Sequence, residues 1–150
     1  MINPSDIQPD VELRDVLKGQ VRVGLAGGGS QIIPVYGDWE RPTNEAPSDF
    51  IAIYMNGSVE GLSRENGFAR GHLIVALHSK MNDDGTVKKA RVKKLLKQFE
   101  DLVINNATEN YFFEYEIPQY ITPTIPDRTT GYSVTRLNLK WHTTNNFNSE

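Results

Sequence analysis

The chain has 150 residues, a formal net charge of −3, and 38% hydrophobic and 23% charged residues. This length and balance are typical of one globular domain with its own core, and they single out neither an acidic nor a basic partner. The absence of cysteine excludes disulfides, thiolate metal ligands and a cysteine nucleophile. Because no signal-peptide pattern and no long apolar run is present, we expect neither signal-dependent secretion nor membrane insertion.

A short helix is predicted first, over residues 6–18. Pro9 suits the first turn of a helix, and the carboxylates of Asp10 and Glu12 complement its positive end. Gly19 follows directly and favours a stop.

Two extended segments, 21–25 and 31–36, flank Gly27, Gly28 and Gly29. The glycines suggest a phosphate-binding loop, but the lysine of a P-loop and the spacing of a dinucleotide fingerprint are both missing. Extended residues also follow where a helix would have to face the phosphates. The stretch therefore predicts a mobile hairpin tip, and we expect no nucleotide or other cofactor.

The middle of the chain predicts two strands. A turn-rich loop, 37–49, precedes the apolar strand 50–55, and Asn56 with Gly57 predicts a tight turn after it. A polar segment then leads to the second strand, 68–79, which is long enough to cross a whole sheet.

Residues 87–104 form the clearest predicted helix, with Thr86 as its N-cap. Apolar side chains recur every three or four residues along one side, namely Val92, Leu95, Leu96, Phe99, Leu102 and Val103. Basic side chains crowd the same helix: Lys88, Lys89, Arg91, Lys93, Lys94 and Lys97. They indicate either a solvated face or a surface for nucleic acid or an acidic partner. Because no aromatic residues are interleaved with them, the pattern does not favour sequence-specific binding of nucleic acid.

Two strands close the chain. Apolar and polar residues alternate over 111–117, a proline-containing loop covers 118–130, and alternation resumes over 132–141. We expect one domain, 1–142, and a disordered polar tail, 143–150. The element order predicts an α+β fold, with a mainly antiparallel sheet of about four to six strands and two helices packed on one face.

The residue pattern contains no assembled catalytic or metal site. His72 and His78 share a face of one strand but lie too far apart to bind one metal ion. Asp83, Asp84 and Gly85 suit a turn and lack the further oxygen ligands of a calcium loop. We therefore expect no metal, no catalytic residues and no enzymatic activity.

The arrangement resembles the tail terminator, or tail completion, proteins of long-tailed bacteriophages, over residues 8–142. The matching segments are ELRDVLKG, PSDFIAIYMNG, GFARGHLIVALHSKMNDDGTVKKARVKKLLKQFEDLV and GYSVTRLNLKWHT. The resemblance implies a structural virion protein, assembled in the bacterial cytoplasm, that forms a ring, usually a hexamer. Such a ring caps the tail tube protein, contacts the head connector or neck protein, and lets DNA pass through its lumen without sequence preference.

On this hypothesis the six basic residues of the second helix contact DNA or a partner. The loops 37–49, 56–67 and 118–130, together with the glycine tip, make the subunit contacts. The candidate contact residues are Gly27, Gly28, Gly29, Trp39, Arg41 and Arg128. A different head–tail connector, or a small nucleic-acid-associated protein that uses residues 88–97, remains the alternative.

Overall fold

The computed structural model describes residues 7–24, 27–42, 47–60, 69–105, 113–116 and 123–143. Within these ranges the helices are α1 (Pro9–Leu17) and α2 (Lys89–Asn105). The strands are β1 (Arg22–Gly24), β2 (Ser30–Ile32), β3 (Val35–Tyr36), β4 (Asp49–Glu60), β5 (Arg70–Lys80), β6 (Phe113–Glu116), β7 (Ile125–Asp127) and β8 (Tyr132–Thr143).

Six of these strands form one sheet, in the order β3-β4-β5-β8-β6, with β7 also paired to β8. Every pair in this sheet is antiparallel except β3 with β4, which is parallel. The strands β1 and β2 form a separate antiparallel pair. The predicted α+β class and the mainly antiparallel sheet are confirmed.

Both helices bury their apolar sides against the same face of the sheet. Alternate residues of the long strands point to this face, as strand geometry requires. The resulting core includes Leu13, Leu17, Ile51, Ile53, Leu73, Val75, Val92, Leu95, Phe99, Leu137, Leu139 and Trp141. The described helices therefore cover one face of the sheet and leave the other without a helical layer.

The glycine-rich stretch forms the predicted hairpin. β1 pairs with β2, and Gly28 and Gly29 adopt the left-handed conformation at φ 92° and 78°. However, the predicted strand 31–36 is wrong as a single element, because β2 and β3 belong to different sheets. Pro34 lies between them and has no N–H to continue a ladder, while its carbonyl accepts the Ile51 N–H at 3.0 Å.

The tight turn predicted at Asn56 and Gly57 is wrong, since β4 continues through both residues to Glu60. The register with β5 shifts between Asn56 and Glu60, and Gly57 has a φ of 77°. A left-handed glycine accommodates a bulge within a strand as readily as a turn. Residues 56–60 of the predicted loop are therefore strand, and 61–68 lie outside the described residues.

Thr86 is not the N-cap of α2. The Val92 N–H donates to the Lys88 carbonyl at 3.0 Å, so Lys88 occupies the position that precedes the helix. The Thr86 hydroxyl instead donates to Asp84 Oδ1 at 2.6 Å and accepts from the Asn82 side-chain amide at 3.0 Å. These bonds stabilise the preceding turn and leave Thr86 unavailable as a cap.

The predicted loop 118–130 needs correction at residues 125–127, and the predicted tail needs correction at residue 143. Residues Ile125–Asp127 pair with β8 as a short strand, and β8 extends to Thr143, one residue beyond the predicted domain end. Residues 117–122 and 144–150 lie outside the described residues.

A buried carboxylate joins α2 to the sheet. The Asp49 side chain, at the start of β4, is only 1% exposed. It accepts a hydrogen bond from the Ser79 hydroxyl of β5 at 2.6 Å, and from Arg91 Nε at 3.0 Å to one oxygen and 3.1 Å to the other. Arg91 Nη2 also donates to Asp49, so the guanidinium binds the carboxylate through both nitrogens of one edge.

This anchor predicts an asymmetric effect of two substitutions in α2. We expect Arg91→Met to lower the free energy of unfolding by about 3 kcal/mol, because Asp49 stays buried without its counter-charge. Lys94→Met, at an exposed position of the same helix, changes it by no more than about 0.5 kcal/mol. Urea denaturation of both variants measures the difference, and equal losses would contradict the anchoring role.

Candidate interaction surfaces

The face of the sheet opposite the helices, here called the open face, is built from alternate residues of three long strands. Strand register brings them together as Phe50, Ala52, Tyr54, Ile74, Ala76, His78, Val134, Arg136 and Asn138. Several are apolar or aromatic, which is unusual for a sheet face that no described helix covers.

An aromatic cluster occupies one end of the open face. The Phe50 ring stacks on the His78 imidazole with centroids 4.3 Å apart, and Tyr132 and Tyr36 meet Phe50 edge-on at 5.4 and 5.9 Å. The Tyr132 hydroxyl donates to the Pro47 carbonyl, which satisfies the polar atom of this ring. The cluster is thus held together by contacts among its own rings and forms an ordered aromatic surface.

Trp39 extends this aromatic surface and is 64% exposed. Its indole lies 5.2 Å from the Tyr54 ring at a tilt of 31°. Trp39 and the preceding Asp38 both have positive φ, 60° and 52°, which is rare for non-glycine residues and a strained state for a bulky one.

Helix α1 holds the turn that carries Trp39. The Asp38 N–H donates to Asp10 Oδ2 at 2.9 Å. Glu40 accepts from Arg14 Nη1 at 2.6 Å and from the Gly37 N–H at 3.2 Å. The hydrogen bonds from Arg14, and secondarily from Gly37, lower the pKa of Glu40 below its usual range. The strained turn is therefore specified by the fold, and it presents an indole to solvent.

A groove of about 520 Å³ runs beside Trp39 along the open face. Its lining includes Trp39, Arg41, Tyr54, His78, Tyr132 and Arg136. Ile125 of β7 is 53% exposed and pairs with Val134, which places it on the same face. Two of the three exposed large hydrophobic residues in the described ranges, Trp39 and Ile125, thus lie on the open face, and Ile32 of β2 is the third.

The far end of the open face is charged. Arg70 lies opposite His142 in the register, and these side chains pair with Glu60 at 3.0 Å and with Glu114 at 2.7 Å, respectively. These exposed pairs contribute little to stability individually. They make this end a polar border to the apolar end.

The second surface is the basic side of α2. Lys89, Lys93, Lys94 and Lys97 are exposed, and Lys88 is half-buried. Arg91 differs from the other predicted contact residues, because its guanidinium is directed to the sheet and bound to Asp49. The exposed basic surface therefore consists of lysines alone.

The candidate contact residues fall into separate places. Trp39 and Arg41 lie together at the open-face groove, and Arg128 is exposed in the turn between β7 and β8. Gly27, Gly28 and Gly29 are exposed at the hairpin tip. The hairpin itself packs on the helical side, where the Gln98 amide of α2 donates to the Arg22 carbonyl at 2.6 Å.

Sequence reasoning missed the open face because its residues come from distant strands. The alternation of Phe50, Ala52 and Tyr54 with buried neighbours was the available signal, since both faces of β4 carry apolar side chains.

In the part of the chain that the structure describes, no group of three or more histidine, aspartate or glutamate side chains could hold a metal ion. Neither described helix is both long and apolar enough to cross a membrane. Comparison with protein-family models, curated proteins and solved structures gives no match.

His78 makes the aromatic cluster sensitive to pH. Burial lowers its pKa, the nearby Arg136 charge lowers it further, and Asp127 opposes both. Between this lowered pKa and the ordinary value of 6.5, the unfolded chain binds more protons than the folded chain. The stability that neutral His78 contributes is thus fully present above the ordinary pKa of 6.5. It is lost as the pH falls from there towards the lowered pKa of the folded state.

We therefore expect the free energy of unfolding to fall less between pH 7 and pH 5 in His78→Gln than in the unsubstituted protein. Denaturant titrations at several pH values measure the two slopes, with His72→Gln, an exposed position on the same strand, as the control. If His78→Gln and the unsubstituted protein show the same slope, protonation of His78 does not oppose folding.

Proposed function

We propose that the protein is a structural assembly subunit whose open face contacts another copy of the chain, in a ring of the phage tail terminator type. The observation that carries the proposal is the exposed Trp39, held in a strained backbone conformation on a sheet face without a helical layer. Bulky side chains in the left-handed region cost of order 1–3 kcal/mol and are typically retained where they serve function.

Burial of Trp39 between subunits would offset this cost. Aromatic side chains are enriched at the centres of protein interfaces, where a rigid ring fills a pocket of the partner. The adjoining groove, with Tyr54 and Tyr132 on its floor, supplies further apolar surface for such a contact.

The location of the two exposed apolar sites supports a ring. Trp39 lies on the open face, whereas Ile32 and the glycine tip belong to the hairpin that packs on the helical side. A contact between unlike surfaces is heterologous, and repeated heterologous contacts close into rings when the rotation allows. On this proposal the ring, a hexamer by resemblance, binds the tail tube protein and the head connector and surrounds DNA in the virion.

The role of another head–tail connector, or neck protein, is the nearest alternative, since it would use the same self-assembly surface. A small nucleic-acid-associated protein is the other, and the exposed lysines of α2 are the feature that favours it.

Trp39→Asn separates a role in assembly from a role in folding. Asparagine tolerates positive φ, so we expect the turn to survive and the free energy of unfolding to change by no more than about 1 kcal/mol. Native mass spectrometry of the purified protein, alone and with tail tubes from a long-tailed phage, should show oligomers that Trp39→Asn loses.

Lys94→Asn, an exposed substitution on the helical layer, serves as the control and should assemble normally. A monomer in both conditions, or oligomers that persist unchanged in Trp39→Asn, would count against the open face as the subunit contact.

A further inference from the structure

We propose that a groove along α2 is a docking site for an acidic segment of a partner protein, one that carries apolar side chains between its carboxylates. The groove has a volume of about 470 Å³ and lies on the helical layer. Its lining residues are Val87, Lys89, Val92, Lys93, Leu96, Lys97, Glu100 and Thr124. The site is separate from the open face and goes beyond self-assembly.

The floor of the groove is apolar. Val92 is buried, whereas Val87 and Leu96 remain half-buried although they pack against the core. Thr124 forms the opposite wall, and its hydroxyl is hydrogen-bonded to that of Thr135 at 2.6 Å. This wall is therefore fixed to the sheet, and the floor is ready to accept an apolar side chain.

The groove has a net positive charge, because three lysines and one glutamate, Glu100, line it. Lys89, Lys93 and Lys97 recur every four residues, so they lie along one side of the helix, and all three are exposed. Of these three lysines, only Lys97 has an ion-pair partner among the described residues, Asp101 at 3.5 Å. An acidic segment that follows the groove would meet Lys89 and Lys93 on successive helical turns, whereas Lys97 is already paired with Asp101.

Lys89 is not placed where it stabilises the helix. The positive end of the helix dipole disfavours cations by about 0.3–1 kcal/mol in the first turn, yet Lys89 begins α2 and no acidic residue lies in that turn. Helix α1 of the same chain follows the opposite rule, with Asp10 and Glu12 in its first turn. A bound acidic segment would relieve the unfavourable charge of α2.

The observations favour a protein segment over nucleic acid. Contacts to phosphates need positive charge but no apolar floor, and single strands are held by aromatic stacking, which none of the lining residues supplies. Arg91, the helix residue best suited to a bidentate phosphate contact, is already bound to Asp49.

Fluorescence anisotropy with two labelled probes tests the proposal. One probe is a short synthetic peptide of glutamates with leucines at helical spacing, and the other is duplex DNA of random sequence. We expect the peptide to bind, Lys93→Glu to weaken it about tenfold, and Leu96→Ser to weaken it about tenfold through loss of apolar contact. Lys140→Glu, an exposed lysine on the other side of the sheet, should leave peptide affinity unchanged.

The Leu96 variant separates the two kinds of partner. If DNA binds as well, its affinity should fall with Lys93→Glu but not with Leu96→Ser. Three results would overturn the proposal: DNA binds but the peptide does not, neither probe binds, or the peptide binds with the same affinity to both substituted proteins as to the unsubstituted one. Because Lys93 is exposed, Lys93→Glu should fold even if Leu96→Ser does not. In that case the peptide titration of Lys93→Glu alone tests the proposal.

Discussion

The buried carboxylate of Asp49 is the interaction on which the arrangement of both surfaces depends. It ties β4 to β5 through Ser79 and ties the sheet to α2 through Arg91. Since Arg91 must point to the sheet, the lysines on either side of it in the helix are directed away from the core. The same contact keeps α2 on the face of the sheet that α1 already covers. The opposite face, which carries the aromatic residues, therefore has no helical layer among the described residues.

The two surfaces that result differ in chemistry, and each contains a feature that folding alone does not favour. Asp10 and Arg14 of α1 hold a strained turn beside the open face through hydrogen bonds to Asp38 and Glu40. This turn carries Trp39 and exposes its indole. On the helical layer, lysines begin a helix at the end where its dipole opposes them. Proteins tolerate such costs at sites of binding, and the two proposed contacts, with copies of the chain and with an acidic partner, would account for both.

Local pattern predicted much of the fold, because helical and strand periodicity reflects which side chains are buried. It placed both helices, the long strands and the hairpin, but it misassigned Gly57, since a left-handed glycine suits a bulge as well as a turn. Tertiary contacts determined the rest. Arg91 binds a residue 42 positions away, and a Cβ on Gly71 would lie 2.8 Å from the Trp141 ring, a closeness that only strand register reveals. Trp39 was predicted as a contact residue, whereas its strain and its place on the open face required the structure.

Hydroxyl-radical footprinting of the assembled protein tests the central claim, that copies meet through the open face, most directly. Trp39 and Tyr54 are reactive rings whose oxidation mass spectrometry can follow, and Tyr36 at the edge of the cluster provides a third site on the same surface. The account predicts that oxidation of Trp39 and Tyr54 falls on assembly, whereas Lys94-containing peptides of α2 keep their reactivity. Undiminished oxidation of Trp39 in a fully assembled sample would contradict it.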